Sequence, residues 1–301
     1  MALLNEYHKP ATIAEALHLL GRAESRLVPL AGGSRLIGEL ETRARRDVDG
    51  VVDLSGLGLS YIHAEDDALC IGAMTTISDL IAHPVAAELA GGILRRVARY
   101  EGPVNLRNAA TLGGIVAAAE PDSELYAALL ALDASVVYDG GPHPQPLSQR
   151  TGRREPESVD DPTPLSEKNG PERAAEELPS LYVAAVKEAP KTLDTLPPLS
   201  QSDERGAGGE GLLITEIRIP LRSLSSGHAR IARTPMDRPI VAAVAVSGEG
   251  VERVVLCGVA ARPILGGEAM NPVSDFKGSA EYRREMAAVV RRRALVEAKG
   301  G

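Results

Sequence analysis

The stretch "LRNAATLGGIVAAAEPDSEL" (residues 106–125) sets Thr111 and the pair Gly113-Gly114 between a polar entry and a run of alanines, then closes at Pro121. Ordered glycine costs conformational entropy, so a doublet marks a backbone angle closed to other residues or the close approach of another group. An earlier stretch, "LVPLAGGSRLIGEL" (27–40), repeats the pattern, with a short apolar strand running into Ala31, Gly32 and Gly33. Such a turn presents successive peptide N–H groups with no side chains in the way, which is how backbone dipoles meet an anion such as a diphosphate. An ordinary tight turn is the other reading of that stretch alone. Asp53 follows the glycines at the distance of a ribose ligand, yet glycines at 32, 33 and 38 admit no G-x-G-x-x-G, which excludes a nicotinamide-type Rossmann site.

The 301 residues suffice for two or three modest cores, and 44% hydrophobic with 25% charged residues is the balance of a water-soluble globular chain. A net charge of -8 offers no basic footprint for nucleic acid, and a single Phe with no Trp leaves few platforms for stacking bases. Cys70 and Cys257 lie far apart in apolar runs, which predicts two buried, reduced thiols and a cytoplasmic protein, with no cysteine spacing for zinc or an iron–sulfur cluster. His8, His18, His63, His83, His143 and His228 show no metal-ligand spacing. There is no membrane span, no leader pattern and no nucleophile elbow.

Local signals place the elements. In "ATIAEALHLL" (11–20), Thr12 with Glu15 three residues on predicts a capped helix ended by Gly21. "RLVPL" and "GVVDLSGL" read as buried strands, "YIHAEDDALCIGA" as a hairpin, and "TTISDLIAHPVAAELAGGILRRVARY" as helix capped by Thr76 and Asp79 and broken near Pro84. Residues 139–178 are rich in Pro, Gly, Ser and charge and are expected to be a disordered insertion; "LPSLYVAAV" resumes apolar character and 200–211 is a second flexible tract. "LLITEIRIPL" predicts a strand ending at Pro220, and "PIVAAVAVSGEGVERVVLCGVAARPI" a hairpin about Gly-Glu-Gly. The last helix is expected to turn Tyr282, Met286, Val289 and Val290 to one face, with a basic stripe as a solvated face or a contact for an acidic partner.

The motifs "LAGGSRLIGEL", "VVDLSGL", "LCIGAMTTISDL", "NLRNAATLGGIVAAAEPDSEL" and "LLALDASVVYDG", in this order and spacing, resemble the FAD-binding medium subunits of the molybdenum hydroxylases, the group of carbon monoxide dehydrogenase and xanthine dehydrogenase. "GHARIARTPMDRPIVAAVAV" and "DFKGSAEYRREMAAVVRRRALVEA" are similar to the C-terminal domain of the same subunits. The resemblance implies an α+β fold: a PCMH-type FAD-binding domain of two subdomains (1–55 and 56–222), then a C-terminal domain of antiparallel strands and helices (223–301). It implies that Ala31, Gly32, Gly33, Ser34 and Arg35 cradle the FAD pyrophosphate with Leu36 behind them. It further implies that Thr111, Gly114, Ser123 and Glu124 line the cofactor, and that Ala110 and Gly113 let it approach. Arg230 and Arg233 are expected near the flavin or an incoming acceptor. Ile115 stands where the family pattern has Asn, Glu124 where it has Asp, and Asn105 where Gln is usual, so one side-chain hydrogen bond to the cofactor is expected to be lost.

The resemblance also implies partners: a large chain carrying the molybdenum cofactor, where substrate is hydroxylated, and a small chain carrying [2Fe–2S] clusters. Electrons then pass through this FAD to a small-molecule or carrier acceptor. Two other readings stand beside this one. They are a free-standing flavin oxidoreductase of the vanillyl-alcohol-oxidase type, and a degenerate flavin-free scaffold.

Overall fold

The computed structural model describes residues 4–65, 67–140, 191–192 and 212–300. The expected insertion from residue 141 onward and the tracts at 178–186 and 200–211 lie outside the described residues.

Three sheets carry the fold. The first is parallel, in the order β1-β3-β2, from β1 (Glu6–His8), β2 (Leu27–Leu30) and β3 (Gly50–Asp53). Helix α1 (Ile13–Leu20) packs on it through Ala16 and Leu20. The expected cap is present: Thr12 accepts from Glu15 N–H, and the Glu15 carboxylate reaches back to Ala11 N–H. Helix α2 (Leu36–Glu41) follows β2 across the first glycine loop.

The second sheet is antiparallel and ordered β4-β5-β8-β6-β7. Its strands are β4 (Ile62–Glu65), β5 (Ala68–Gly72), β6 (Ser135–Asp139), β7 (Lys191–Thr192) and β8 (Leu213–Pro220). Asp139, counted with the insertion on sequence grounds, closes β6. Between β5 and β6 the chain makes α3 (Ile77–Ala82), α4 (Pro84–Ala98), α5 (Val104–Arg107), α6 (Leu112–Ala118) and α7 (Glu124–Ala131). The break at Pro84 is where the sequence puts it, but α4 breaks again at Leu89–Gly92, where Ala90, Gly91 and Gly92 all have positive φ.

The third sheet is antiparallel, β12-β11-β10-β9, from β9 (Ser225–Ile231), β10 (Val241–Gly248), β11 (Val251–Cys257) and β12 (Ile264–Leu265). The expected Gly-Glu-Gly hairpin turns on Glu249 and Gly250, both at positive φ, the conformation that matches strand twist. Helix α8 (Ala280–Ala298) covers the outer face of this sheet.

The layers explain the patterning. All six residues Val241–Val246 are buried because β10 is covered on both sides: Ala242, Val244 and Val246 join the core around α7, and Val241, Ala243 and Ala245 join the core under α8. Helix α7 is likewise buried all round, with the third sheet on one side and helices α4 and α6 on the other. One expectation is corrected here: α8 turns Arg283, Ala287, Val290, Ala294 and Ala298 inward, with Met286 and Val289 at the margin and Tyr282 exposed. Small residues occupy that face because β9 comes close. A Cβ on Gly227 would stand 1.9 Å from the Ala294 carbonyl oxygen.

Candidate functional site

The two glycine stretches meet. A Cβ on Gly32 would lie 1.6 Å from the carbonyl oxygen of Ala109 and 3.2 Å from the Cα of Ala110, so the 31–35 loop and the 109–114 turn touch through bare backbone. Gly33 has φ +70°, the left-handed region open to glycine. Among the described residues, no acceptor meets the peptide N–H groups of Gly32, Gly33, Ser34 or Arg35. Ser34 and Arg35 are exposed, Ala31, Gly32, Gly33 and Leu36 half-buried. Four consecutive unengaged donors on a partly exposed loop fit a phosphate-bearing ligand.

The second turn has a different part. Leu112 N–H binds Thr75, Gly113 N–H binds Ala73, and Gly114 N–H is taken by the Thr111 hydroxyl, which caps α6. Gly113 is buried, and a Cβ there would strike Ala73 at 2.8 Å, so its bareness serves the seat of α6 on the loop after β5. Ala110 is half-buried and its carbonyl accepts from Ile77 N–H. Ile115 packs against the main core. The turn is thus a rigid platform against which the donor loop is held.

Ser123 and Glu124 lie at the start of α7, both about fully buried and both engaged by protein groups. Ser123 Oγ donates to Glu101 Oε1 at 2.8 Å and accepts from Tyr126 N–H. Glu124 Oε1 receives His228 Nε2 at 2.7 Å and Arg230 Nε at 3.0 Å. The Arg230 guanidinium also stacks 4.1 Å over the Tyr100 ring and donates to the carbonyls of Pro235 and Asp237. Arg233 instead faces the exposed Phe276 ring at 5.3 Å.

Loop 120–122 joins these parts. Arg35 reaches Glu120 at 3.4 Å, and Arg238 reaches Glu101 at 3.0 Å, Glu120 at 3.1 Å and Asp122 at 3.3 Å. Burial pushes the Glu101 carboxyl up, opposed by Arg238, the Ser123 hydroxyl and Leu125 N–H. Glu101, His228, Arg238 and Tyr100 escaped the sequence reading. The sequence carries no signal for them: His228 and Arg230 share a face only because residues 225–231 form a strand, and that polar run has no strand pattern.

Residues 3–147 match the family described as the FAD binding domain in molybdopterin dehydrogenase. Similarity continues past that segment to nearly the whole chain. The glyceraldehyde dehydrogenase medium chain of Sulfolobus acidocaldarius is 26% identical over 97% of both chains, and the carbon monoxide dehydrogenase medium chain of Afipia carboxidovorans is 28% identical over 98% of this chain and 96% of its own. Residues 3–147 belong to this FAD-binding family, and the whole chain is similar to the medium subunits of molybdenum hydroxylases. The solved Cu,Mo-CO dehydrogenase in its cyanide-inactivated form superposes on this flavoprotein with a TM-score of 0.75 at 25% identity, covering 100% of this chain and 99% of that one. As a family member the flavoprotein takes FAD as its cofactor and is an oxidoreductase subunit. No helix among its described residues is long and apolar enough to cross a membrane.

Proposed function

We propose that this chain binds FAD with the diphosphate on Gly32, Gly33, Ser34 and Arg35 and with the 109–114 turn as the adjoining wall. The observation that carries this reading is the row of four unengaged N–H groups held against that turn by a glycine without room for a side chain. Ala31 and Leu36 flank the row, and the hydroxyls of Ser34 and Thr111 add protons with no acceptor among the described residues. Bound FAD supplies one- and two-electron redox chemistry, while the protein supplies position and electrostatics. Ser123 and Glu124 act at one remove, fixing α7 and, through His228 and Arg230, the third sheet. This division corresponds to two cofactor subdomains, 1–55 and 56–222, and a C-terminal domain from 223.

The function that follows is electron transfer in a molybdenum hydroxylase complex of the cytoplasm. A large chain with the molybdenum cofactor hydroxylates the substrate, a small chain with [2Fe–2S] clusters passes on the electrons, and this chain delivers them to an external small molecule or carrier. With two separated, buried cysteines it holds no cluster itself. The test is the visible spectrum of the purified chain, chromatography of the released chromophore, and co-purification from cells. Bound FAD with a molybdenum chain supports the reading. FAD without partners points to a free-standing oxidoreductase, and a chain that fails to take up added FAD overturns the cofactor site.

A further inference from the structure

The hairpin β4–β5 folds three ligand-type side chains from residues 63–70 onto one another across its two strands. His63 and Cys70 are cross-strand partners, and Glu65 lies two residues beyond His63, so all three share one face. The ring nitrogen, thiol sulfur and carboxylate oxygen lie within 4.8 Å of one another. The Cys70 thiol already donates to Glu65 Oε2 at 3.5 Å. Around them stands an ordered second layer. Tyr61 packs against the His63 ring, with centroids 5.3 Å apart, and its hydroxyl donates to Glu216 at 2.7 Å. Arg218 is paired chiefly with Glu216 at 2.5 Å and more loosely with Glu65 at 3.6 Å, so Glu65 can turn away without leaving the arginine unpaired. Glu65 and Glu216 against Arg218 leave one negative charge in excess.

We propose that His63, Glu65 and Cys70 bind a thiophilic divalent cation of the zinc class, with water in the fourth position. Tetrahedral N, S and O donors around such an ion stand about 3.5 Å apart, so rotamer shifts of about 1 Å in the exposed His63 and Glu65 close the set. On binding, the sulfur–metal bond replaces the S–H bond and the thiol proton leaves to solvent. Cys70 is wholly buried beneath the other two side chains, which form the cover of the site. A spacing search misses this trio because the ligands are joined by strand pairing. None of its residues belongs to the glycine motifs, so the proposal stands apart from the FAD assignment.

The experiment uses the full-length chain with its flavin, stripped of metal by chelator and kept reduced. Cadmium is titrated and thiolate-to-metal charge-transfer absorption is read as a difference spectrum against the flavin. Zinc affinity is then measured by competition with a chromophoric chelator. The expected result is one equivalent bound with a charge-transfer band, the band absent in Cys70→Ser, and zinc Kd raised at least about tenfold in both His63→Ala and Glu65→Gln. Those two substitutions lie on the exposed face and keep the test valid should Cys70→Ser fail to fold. No band in the unaltered chain, a band that persists in Cys70→Ser, or unchanged zinc affinity in the other two variants overturns the site.

Discussion

Replacing Gly32 by Ala puts one methyl group where the structure has none to spare. Its carbon would sit 1.6 Å from the Ala109 carbonyl oxygen, while real Cβ atoms essentially never approach within 3.0 Å, so the loop and the turn must part by at least about 1.4 Å. Both sides of the clash are backbone, and no rotamer can absorb it. A cradle displaced that far loses N–H to phosphate bonds that tolerate only a few tenths of an ångström. Two such charge-assisted bonds come to about 3 kcal/mol, or roughly a 150-fold rise in FAD Kd. The assay is flavin content after gel filtration with FAD titration of the stripped chain, alongside thermal unfolding. Gly38→Ala is the control. It is exposed on α2 with nothing within 4 Å of its added carbon, and it is expected to keep FAD and gain about 0.5 kcal/mol of stability. A Gly32→Ala chain that holds FAD as tightly as the unaltered one would refute the cradle.

Four further outcomes are expected. Glu124→Gln removes the buried anion facing Arg230 and His228 and should lower stability by about 3 kcal/mol in urea titration, since breaking a buried pair strands its partner. Gly227→Ala should cost at least that much by lifting α8 off β9, and circular dichroism melting would show it. The Ser25 hydroxyl, the His8 ring and Arg22 hold the Glu6 carboxyl at about 2, below its ordinary 4.5; its contribution to stability is complete above pH 4.5 and lost as pH falls through about 2. A pH series of melting curves should therefore show a shallower acid limb for Glu6→Gln. Burial pushes the Cys70 thiol up to about 11 and Cys257 well above the ordinary thiol range, so in metal-free native protein both should resist alkylation at neutral pH, and mass spectrometry should find both labelled after unfolding.

What the sequence made legible was local. Thr12 with Glu15, Thr76 with Asp79, Gly-Glu-Gly after an apolar run and Pro84 each act over a few residues, and each element they announce is present. Features decided by distant packing were not legible. The polar run of β9 gives no strand signal, because Gly227 is chosen for the approach of α8. Tyr282 fits an apolar stripe by spacing, yet the inward face of α8 is set by small residues against that glycine. The same limit applies at the site. The glycine pairs point to a ligand but not to each other, and the contact of Gly113 with Ala73 joins segments forty residues apart. The protein partners of Glu124, His228 and Arg230, lie more than a hundred residues away, beyond the reach of any local pattern.

Strand β8 sits in the middle of the second sheet although it is the last strand of that sheet to be made, and the family match ends at residue 147, before it. A nascent chain that has reached Gly140 has laid down β5 and β6 with an open slot between them. Two unpaired strand edges then await a segment more than seventy residues further along. Synthesis through residues 141–212 is the interval when this protein is most exposed to wrong edge-to-edge pairing, and a fragment cut at the family boundary keeps that hazard permanently. Expression designs for the flavin-binding half should therefore carry residues 213–220 with it.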